Sequence, residues 1–389
     1  MNKKLFVGLF FGFIFFIFLF VPFKEVAIHF NILKHNKTDN WVVVEKSDNP
    51  IYDKLMTAKY FVENRYNNYF PLYDNINSLY FNTIINIDSL YMNDIYLKDN
   101  NDGDHIFFDK TNNFFYLTNK YSSKELDERM NREVEFYNDI KEKYPDINLA
   151  LYIPLRYEMT EAKNVNDVHK KIEEFESKLN KEIKYMLFDS KTTSDYMKYY
   201  YKTDHHYNSY GAEKAYLEIL NMFNLTNSID IKHNSIRTPY YGSMAKSTLL
   251  KRVEDTLTVM TVPNTLKIEA PDKDFKPMSI ENKSNPFFDY YVKYYNGAYD
   301  ELIYENNTTT NRNLLIIGDS MVWQYDYMLA YNFDKTYVVN TKYGKWLKQD
   351  LNLKEYIAEN KITHILFVRE AKNLIFDADN YKVDKKVVR

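Results

Sequence analysis

The stretch that most constrains this chain is residues 313–323, Asn-Leu-Leu-Ile-Ile-Gly-Asp-Ser-Met-Val-Trp. Leu314, Leu315, Ile316 and Ile317 form the apolar run of a strand buried on both faces. Gly318 then allows a sharp turn where a side chain would crowd the backbone. Asp319 and Ser320 follow at the point where a parallel strand ends, the edge at which α/β sheets carry their chemistry. A serine held there has helix N-terminal amides nearby to receive negative charge. Gly-Asp-Ser alone also fits an ordinary strand-end turn, so the assignment needs a partner elsewhere in the chain.

The pattern around this stretch predicts the fold class. A helix is expected over 321–331, a strand over 336–340, a helix over 350–359 and a strand over 363–368. Upstream, 125–144 reads as a surface helix and 149–154 as a buried strand ending at Pro154. The clearest helical stripe follows: Val165, Val168, Ile172, Phe175, Leu179, Ile183 and Met186. Residues 105–108 and 114–117 pair as a hairpin. Strand-then-helix units predict an α/β fold, a three-layer domain with a central, mostly parallel sheet. Residues 225–310 lack a helical stripe and read as a β- and loop-rich insertion or excursion.

The first 25 residues differ from the rest. Met-Asn-Lys-Lys precedes an uncharged run over 5–21, at the short end of what spans a bilayer. The two lysines predict a cytoplasmic N-terminus. A cleavable signal peptide is the rival, although Pro22-Phe23-Lys24-Glu25 offers no small-residue cleavage pattern. The expectation is an N-terminal transmembrane anchor over 1–25 and one extracytoplasmic domain over 26–389.

Composition removes several classes of function. The formal net charge of -3 gives no reason to expect a nucleic-acid partner. The absence of cysteine excludes disulfides, thiolate metal sites and a cysteine nucleophile. No glycine-rich phosphate loop or nucleotide motif is present, so no cofactor is expected. The 37 tyrosines and 27 phenylalanines suit carbohydrate-stacking surfaces, but a biased genome also produces them.

The partner for Ser320 lies in Lys202-Thr-Asp-His-His-Tyr-Asn-Ser-Tyr-Gly211, just before an expected helix over 211–223. A serine hydroxyl is a poor nucleophile at neutral pH. It needs an imidazole to take its proton and a carboxylate to hold that imidazole in the right tautomer. Asp204 and His206, one residue apart, can face Ser320 across the sheet edge, and their order along the chain does not matter. Two other readings remain open on the residues alone. Asp204, His205 and His206 have the spacing of metal ligands, although nothing nearby completes a set. Asn208 and Ser209 are good helix caps, so the segment can also be an inert capping network.

These two stretches together resemble the DHHW family and its relatives, the SGNH-hydrolase-like domains of alginate O-acetyltransferases. Asp204-His205-His206-Tyr207 precedes Gly318-Asp319-Ser320 here, the reverse of the order in ordinary SGNH hydrolases and the order of this branch. Tyr207 stands where the family usually has tryptophan. Tyr241-Gly-Ser-Met-Ala-Lys-Ser247 resembles its Tyr-Gly-x-x-x-x-Ser segment, which brings Gly242 and Ser247 toward the site. The resemblance implies an SGNH-hydrolase-like domain with Ser320 as nucleophile, His206 as the catalytic imidazole and Asp204 as its orienter. His205, Tyr207, Gly318 and Asp319 are then supporting residues.

An oxyanion also needs donors. The Ser320 amide is the first candidate, and Asn340, Tyr343 and Gly344, just past a predicted strand, are the others. Arg156 and Arg369, at predicted strand ends, are substrate contacts or surface charges. Trp323 is a sugar-stacking or core residue. The resemblance implies O-acetyl chemistry on a cell-surface or secreted polysaccharide, by transfer or by hydrolysis. Transfer outside the membrane requires activated acetyl, and so a multispanning acyltransferase partner. The rival from another class is a catalytically idle scaffold that binds glycan or protein in a surface-assembly system.

Overall fold

Apolar strands and the helices between them are laid out in a computed structural model that describes residues 73–100, 104–118, 123–163, 168–262, 265–271, 285–295, 299–306, 308–340 and 351–370. The expected anchor at 1–25 lies outside these residues, as do Tyr343 and Gly344. Among the described residues no helix is long and apolar enough to cross a membrane. Contacts divide the chain between Thr83 and Ile84. The first unit is described only from residue 73, the start of helix α1 (Tyr73–Asp88). The site and the three sheets discussed below belong to the second unit.

That unit opens with an antiparallel three-stranded sheet, β1 (Asp94–Asp99), β2 (His105–Asp109) and β3 (Phe114–Thr118). Helix α2 (Ser123–Lys143), strand β4 (Asn148–Pro154), helix α3 (Val168–Lys178) and strand β5 (Lys184–Phe188) follow. Two helices come next, α4 (Thr193–Tyr199) and α5 (Ser209–Met222). Strands β6 (Lys232–Tyr240) and β7 (Asp255–Thr261) pair antiparallel around helix α6 (Ser243–Thr248). Strand β8 (Lys267–Glu269), helix α7 (Tyr290–Tyr294) and strand β9 (Glu301–Glu305) lead to β10 (Asn313–Gly318). The described chain ends with α8 (Asp326–Leu329), β11 (Lys335–Asn340), α9 (Leu353–Asn360) and β12 (His364–Val368).

The seven-stranded central sheet has the order β5-β4-β12-β10-β11-β9-β8. Strands β5, β4, β12, β10 and β11 are mutually parallel, while β9 pairs antiparallel with both β11 and β8. The predicted mixed α/β fold with a mostly parallel sheet is therefore what forms. Alternation along each strand divides the core in two. Leu314, Ile316, Ala150, Tyr152 and Leu366 pack with α5 and α8 on one face. Leu315, Ile317, Leu149, Leu151, Ile365 and Phe367 pack with α2, α3 and α9 on the other. A strand with both faces covered has to be apolar throughout, which is why residues 314–317 show no polar alternation.

Three sequence expectations are corrected. The stripe read as one helix through Met186 stops at Lys178, and Met186 lies in β5. The Asn180 side chain accepts from the Glu182 amide at 2.9 Å, which favours a turn over another helical turn. The helix expected over 321–331 is replaced by hydrogen-bonded turns, with α-helix only at Asp326–Leu329. Residues 225–310 are more integrated than an excursion, because β8 and β9 extend the central sheet and α7 is a short helix.

Candidate functional site

Strand β10 lies between β12 and β11, and Ser320 emerges just past its carboxyl end. A Cβ added at Gly318 would lie 3.2 Å from the Val368 carbonyl oxygen and 3.3 Å from Val322 Cγ1, so a side chain here would press on both neighbours. Buried Asp319 fixes the turn. Its Oδ1 accepts from the Met321 amide at 3.0 Å, and its Oδ2 accepts from the Glu370 amide, just beyond β12, at 3.2 Å. Ser320 is left partly exposed where two parallel strands end side by side.

The Asp204 loop is brought there by several independent ties. Tyr200 and Tyr207 form an antiparallel bridge, and the Asn208 side chain caps α5 by accepting from the Tyr210 and Gly211 amides. The capping reading therefore holds for Asn208, while Asp204 and His206 are engaged elsewhere. At the start of β7, the Asp255 carboxylate accepts from the Lys202 and Thr203 amides and from the Thr203 hydroxyl. Tyr207, fully buried, packs on Phe188 and Tyr200 at centroid distances of 4.7 and 5.0 Å. An aromatic pocket thus holds the loop through Tyr207.

Three predicted residues meet in one hydrogen-bonded row. Asp204 Oδ1 lies 2.6 Å from His206 Nδ1, and His206 Nε2 lies 2.9 Å from Ser320 Oγ. With Nδ1–H donated to the carboxylate, Nε2 presents its lone pair to the serine hydroxyl. The other oxygen, Asp204 Oδ2, accepts from the Tyr240 hydroxyl at 2.7 Å and from the Ser243 amide at 2.8 Å. Burial alone would raise the Asp204 carboxyl. His206, His205 and the Ser243 amide outweigh that and hold it far below the usual carboxylate range.

Gly242 explains why this carboxylate can be so enclosed. A Cβ there would sit 2.3 Å from Asp204 Cβ and 2.5 Å from its Oδ2. Ser247 does not take the supporting place expected of it. It is exposed and turns its hydroxyl back to the Ser243 carbonyl at 2.9 Å. Ser243 does so instead, through its amide and through its hydroxyl, 3.0 Å from His205 Nδ1. Burial, and next the neighbouring His206, push His205 down to about 4, so it is neutral at neutral pH.

The other candidates separate clearly. Arg156 is buried and grips Glu370 with two bonds, Nε–Oε1 at 2.5 Å and Nη2–Oε2 at 2.9 Å, with Asp104 3.0 Å from Nη1. Arg369 is almost fully buried beside Glu133, with Phe367 under its guanidinium. Both are internal ion pairs, because a charge at the covered end of a sheet must be matched. Trp323 is buried with its ring stacked toward Tyr291 at 6.2 Å, a core position. Asn340 is buried at the end of β11, and its backbone N–H donates to the Asp300 carbonyl.

Asp204, His205 and His206 are the group among the described residues with ligand atoms close enough, within 4.8 Å, to hold a metal ion. Both carboxylate oxygens of Asp204, and the Nδ1 atoms of both histidines, already hold hydrogen bonds, so a cation would have to displace several of them. Sequence reasoning missed Tyr240, Ser243, Tyr291 and Gln324. The Tyr291 ring stacks on His206 with centroids 4.0 Å apart and planes 17° from parallel. Its hydroxyl donates to the Ser320 carbonyl at 3.1 Å. Gln324 Nε2 donates to the Tyr207 carbonyl at 2.6 Å and to the Tyr291 hydroxyl at 3.3 Å.

No family model matches the chain, and no curated protein matches it. Solved structures do. Bacillus cereus PatB1 with a sulfonyl adduct superposes with a TM-score of 0.56 at 18% identity, covering 73% of this chain and 98% of that one. A DHHW family protein from Eubacterium siraeum DSM 15702 gives 0.54 at 16% identity, covering 73% and 94%. In fold the chain is similar to a DHHW family protein and to PatB1, the relation implied by Asp204–Tyr207 and Gly318–Ser320.

Proposed function

We propose that this protein transfers acyl groups through Ser320, with acetyl esters of a cell-surface or secreted polysaccharide as its chemistry. The observation that carries this is the continuous row Asp204 Oδ1, His206 Nδ1, His206 Nε2, Ser320 Oγ, with contacts of 2.6 and 2.9 Å. Ser320 Oγ attacks the acetyl carbonyl carbon while His206 Nε2 takes the hydroxyl proton. The carbonyl π pair moves onto oxygen, and the Ser320 amide is the first donor to that oxyanion. Collapse expels the donor's alkoxide, which leaves with the proton from His206, and an acetyl-serine remains. An acceptor hydroxyl, from a sugar or from water, reverses these steps and restores the serine.

Asp204 keeps its charge throughout, since its neighbours hold its pKa so low, and the imidazolium formed at His206 is matched by a fixed anion. The fold shared with PatB1 and a DHHW family protein supports the reading, as does the family's tie to alginate O-acetyltransferases. Residues 1–25 fit a membrane anchor that leaves the domain outside the cytoplasm. Transfer there draws on activated acetyl from a multispanning membrane partner.

The test compares the full-length chain with Ser320→Ala on p-nitrophenyl acetate and seeks an acetyl group on Ser320 by mass spectrometry. Loss of at least about 10³-fold in turnover, together with loss of the adduct, is expected. Equal background turnover from two folded proteins overturns the nucleophile and favours the binding scaffold.

A further inference from the structure

We infer that Tyr291 is a positioning residue for the acyl-transfer step: its ring face holds the His206 imidazole in the plane that joins Asp204 to Ser320. The inference rests on the catalytic reading of Ser320 and goes beyond it. A hydrogen-bonded imidazole is fixed at two atoms, Nδ1 and Nε2, but can still roll about the line between them. Roll of that kind tilts the Nε2 lone pair and the Nδ1–H bond alike out of line with Ser320 and Asp204. A flat neighbour on the ring face opposes it.

Tyr291 supplies that neighbour, at 4.0 Å and 17°. The His205 ring also lies 4.0 Å from the His206 centroid, tilted by 36°. Two rings that close to one centroid cannot share a face, so His206 is held from both sides. The stacked arene also places its negative π face against the imidazole that becomes a cation during the reaction. The same residue touches the nucleophile's backbone, since its hydroxyl donates to the Ser320 carbonyl at 3.1 Å. Burial raises that phenol far above its usual range, so it stays a protonated donor.

The shelf that carries Tyr291 is anchored at several points. Lys246 of α6 lies 3.5 Å from the Asp289 carboxylate, Arg237 of β6 stacks on the Tyr290 ring at 4.8 Å, and Tyr241 packs on Phe287 at 5.5 Å. Asp289 also caps α7 by accepting from the Val292 amide. A residue placed on so many ties is suited to hold a ring still.

The experiment compares wild type with Tyr291→Phe, which keeps the ring face, and with Tyr291→Leu and Tyr291→Met, which lose it. Active sites are titrated with a sulfonyl fluoride, and the rate of acetyl-serine formation from p-nitrophenyl acetate is expressed per titrated site. A variant that merely folds poorly yields fewer sites but an unchanged rate at each. The Leu and Met forms should lose about 10-fold in acylation rate with KM within about twofold, and the Phe form should stay within about threefold of wild type. If Leu and Met also stay within about threefold per site, or if Phe is as slow as Leu, the inference is wrong. If Leu does not fold, Met decides alone. Ser320→Ala in the same assay separates the two claims, because its survival as an active enzyme sinks the serine reading, whatever the Tyr291 series shows.

Discussion

Adding one methyl group at Gly242 should disable the site without touching any atom that reacts. The Cβ of Gly242→Ala would fall 2.3 Å from Asp204 Cβ, 2.5 Å from Oδ2 and 2.7 Å from Cγ. Ordinary contacts need about 3.5 Å or more, so Asp204 or the backbone at 242 has to move by roughly 1 Å. The side chain cannot move alone, since it is held by His206 Nδ1 at 2.6 Å, the Tyr240 hydroxyl at 2.7 Å and the Ser243 amide at 2.8 Å. Losing one charge-assisted bond to a buried carboxylate costs about 1.5–3 kcal/mol. A misplacement of about 1 Å in the group that orients the base costs on the order of 10²-fold in rate. Turnover of p-nitrophenyl acetate by the purified variant, with its thermal midpoint measured alongside, checks both. Wild-type turnover with an unchanged midpoint would refute the view that the absence of a side chain at 242 makes room for the carboxylate.

Two further outcomes follow from groups away from the reacting atoms. Glu158 is buried, and burial pushes it up to about 8 while Arg156 pulls the other way. Because its folded value is raised, its contribution to stability is whole below about pH 4 and is lost as pH rises through about 8. Glu158→Gln should therefore match wild type in thermal midpoint near pH 5 and exceed it near pH 9. A constant gap at both pH values would contradict the assignment. A second serine–histidine–carboxylate row also exists: Ser209 Oγ lies 2.9 Å from His233 Nδ1, and His233 Nε2 lies 3.0 Å from Glu213. Ser209 is fully buried, so no ester can reach it. Ser209→Ala should keep turnover within about twofold while losing about 1 kcal/mol of stability, measured by denaturant titration; sulfonyl labelling of Ser209 in the wild type would show that burial is not the deciding difference.

The parts legible in the sequence are those encoded locally. The apolar run 314–317 reads as a strand covered on both faces, and Gly318 to Ser320 marks its end, so β10 and its turn are legible. The Asp204, His205 and His206 cluster stands out because its chemistry is dense, and the resemblance to the DHHW family picks His206, not His205, for Ser320 across 114 residues. What escaped was fixed by tertiary contact. Beyond Ser320, apolar spacing suggested a helix, but the Asp319 side chain takes the Met321 amide and the chain proceeds through turns. Tyr291 and Tyr240 are two of 37 tyrosines, and no local pattern separates the one stacked on a base from those filling a core. The resemblance named Gly242 and Ser247 in one segment and passed over Ser243 between them, because a matched motif shows which residues are near in sequence and not which one turns inward.

Three of the four residues that escaped sequence reading share a place in the architecture, Gln324 being the exception. Tyr240 and Ser243 come from the β6 end and the α6 start, and Tyr291 comes from α7, all within 225–310. Ser320, by contrast, stands at the end of β10, and the Asp204 loop leads into α5. A loop between α4 and α5 has no sheet register to fix it, and a buried carboxylate with only one partner would favour its neutral form. The segment 225–310 meets both needs. It supplies two donors to Asp204 Oδ2 and the Asp255 carboxylate that grips the backbone at Lys202 and Thr203. The sheet therefore positions Ser320, while the segment outside the parallel strands keeps the Asp204 carboxylate ionised and aligned with His206. On this division, substitutions in 225–310 that spare the fold should alter the rate at Ser320 more than its exposure to reagents.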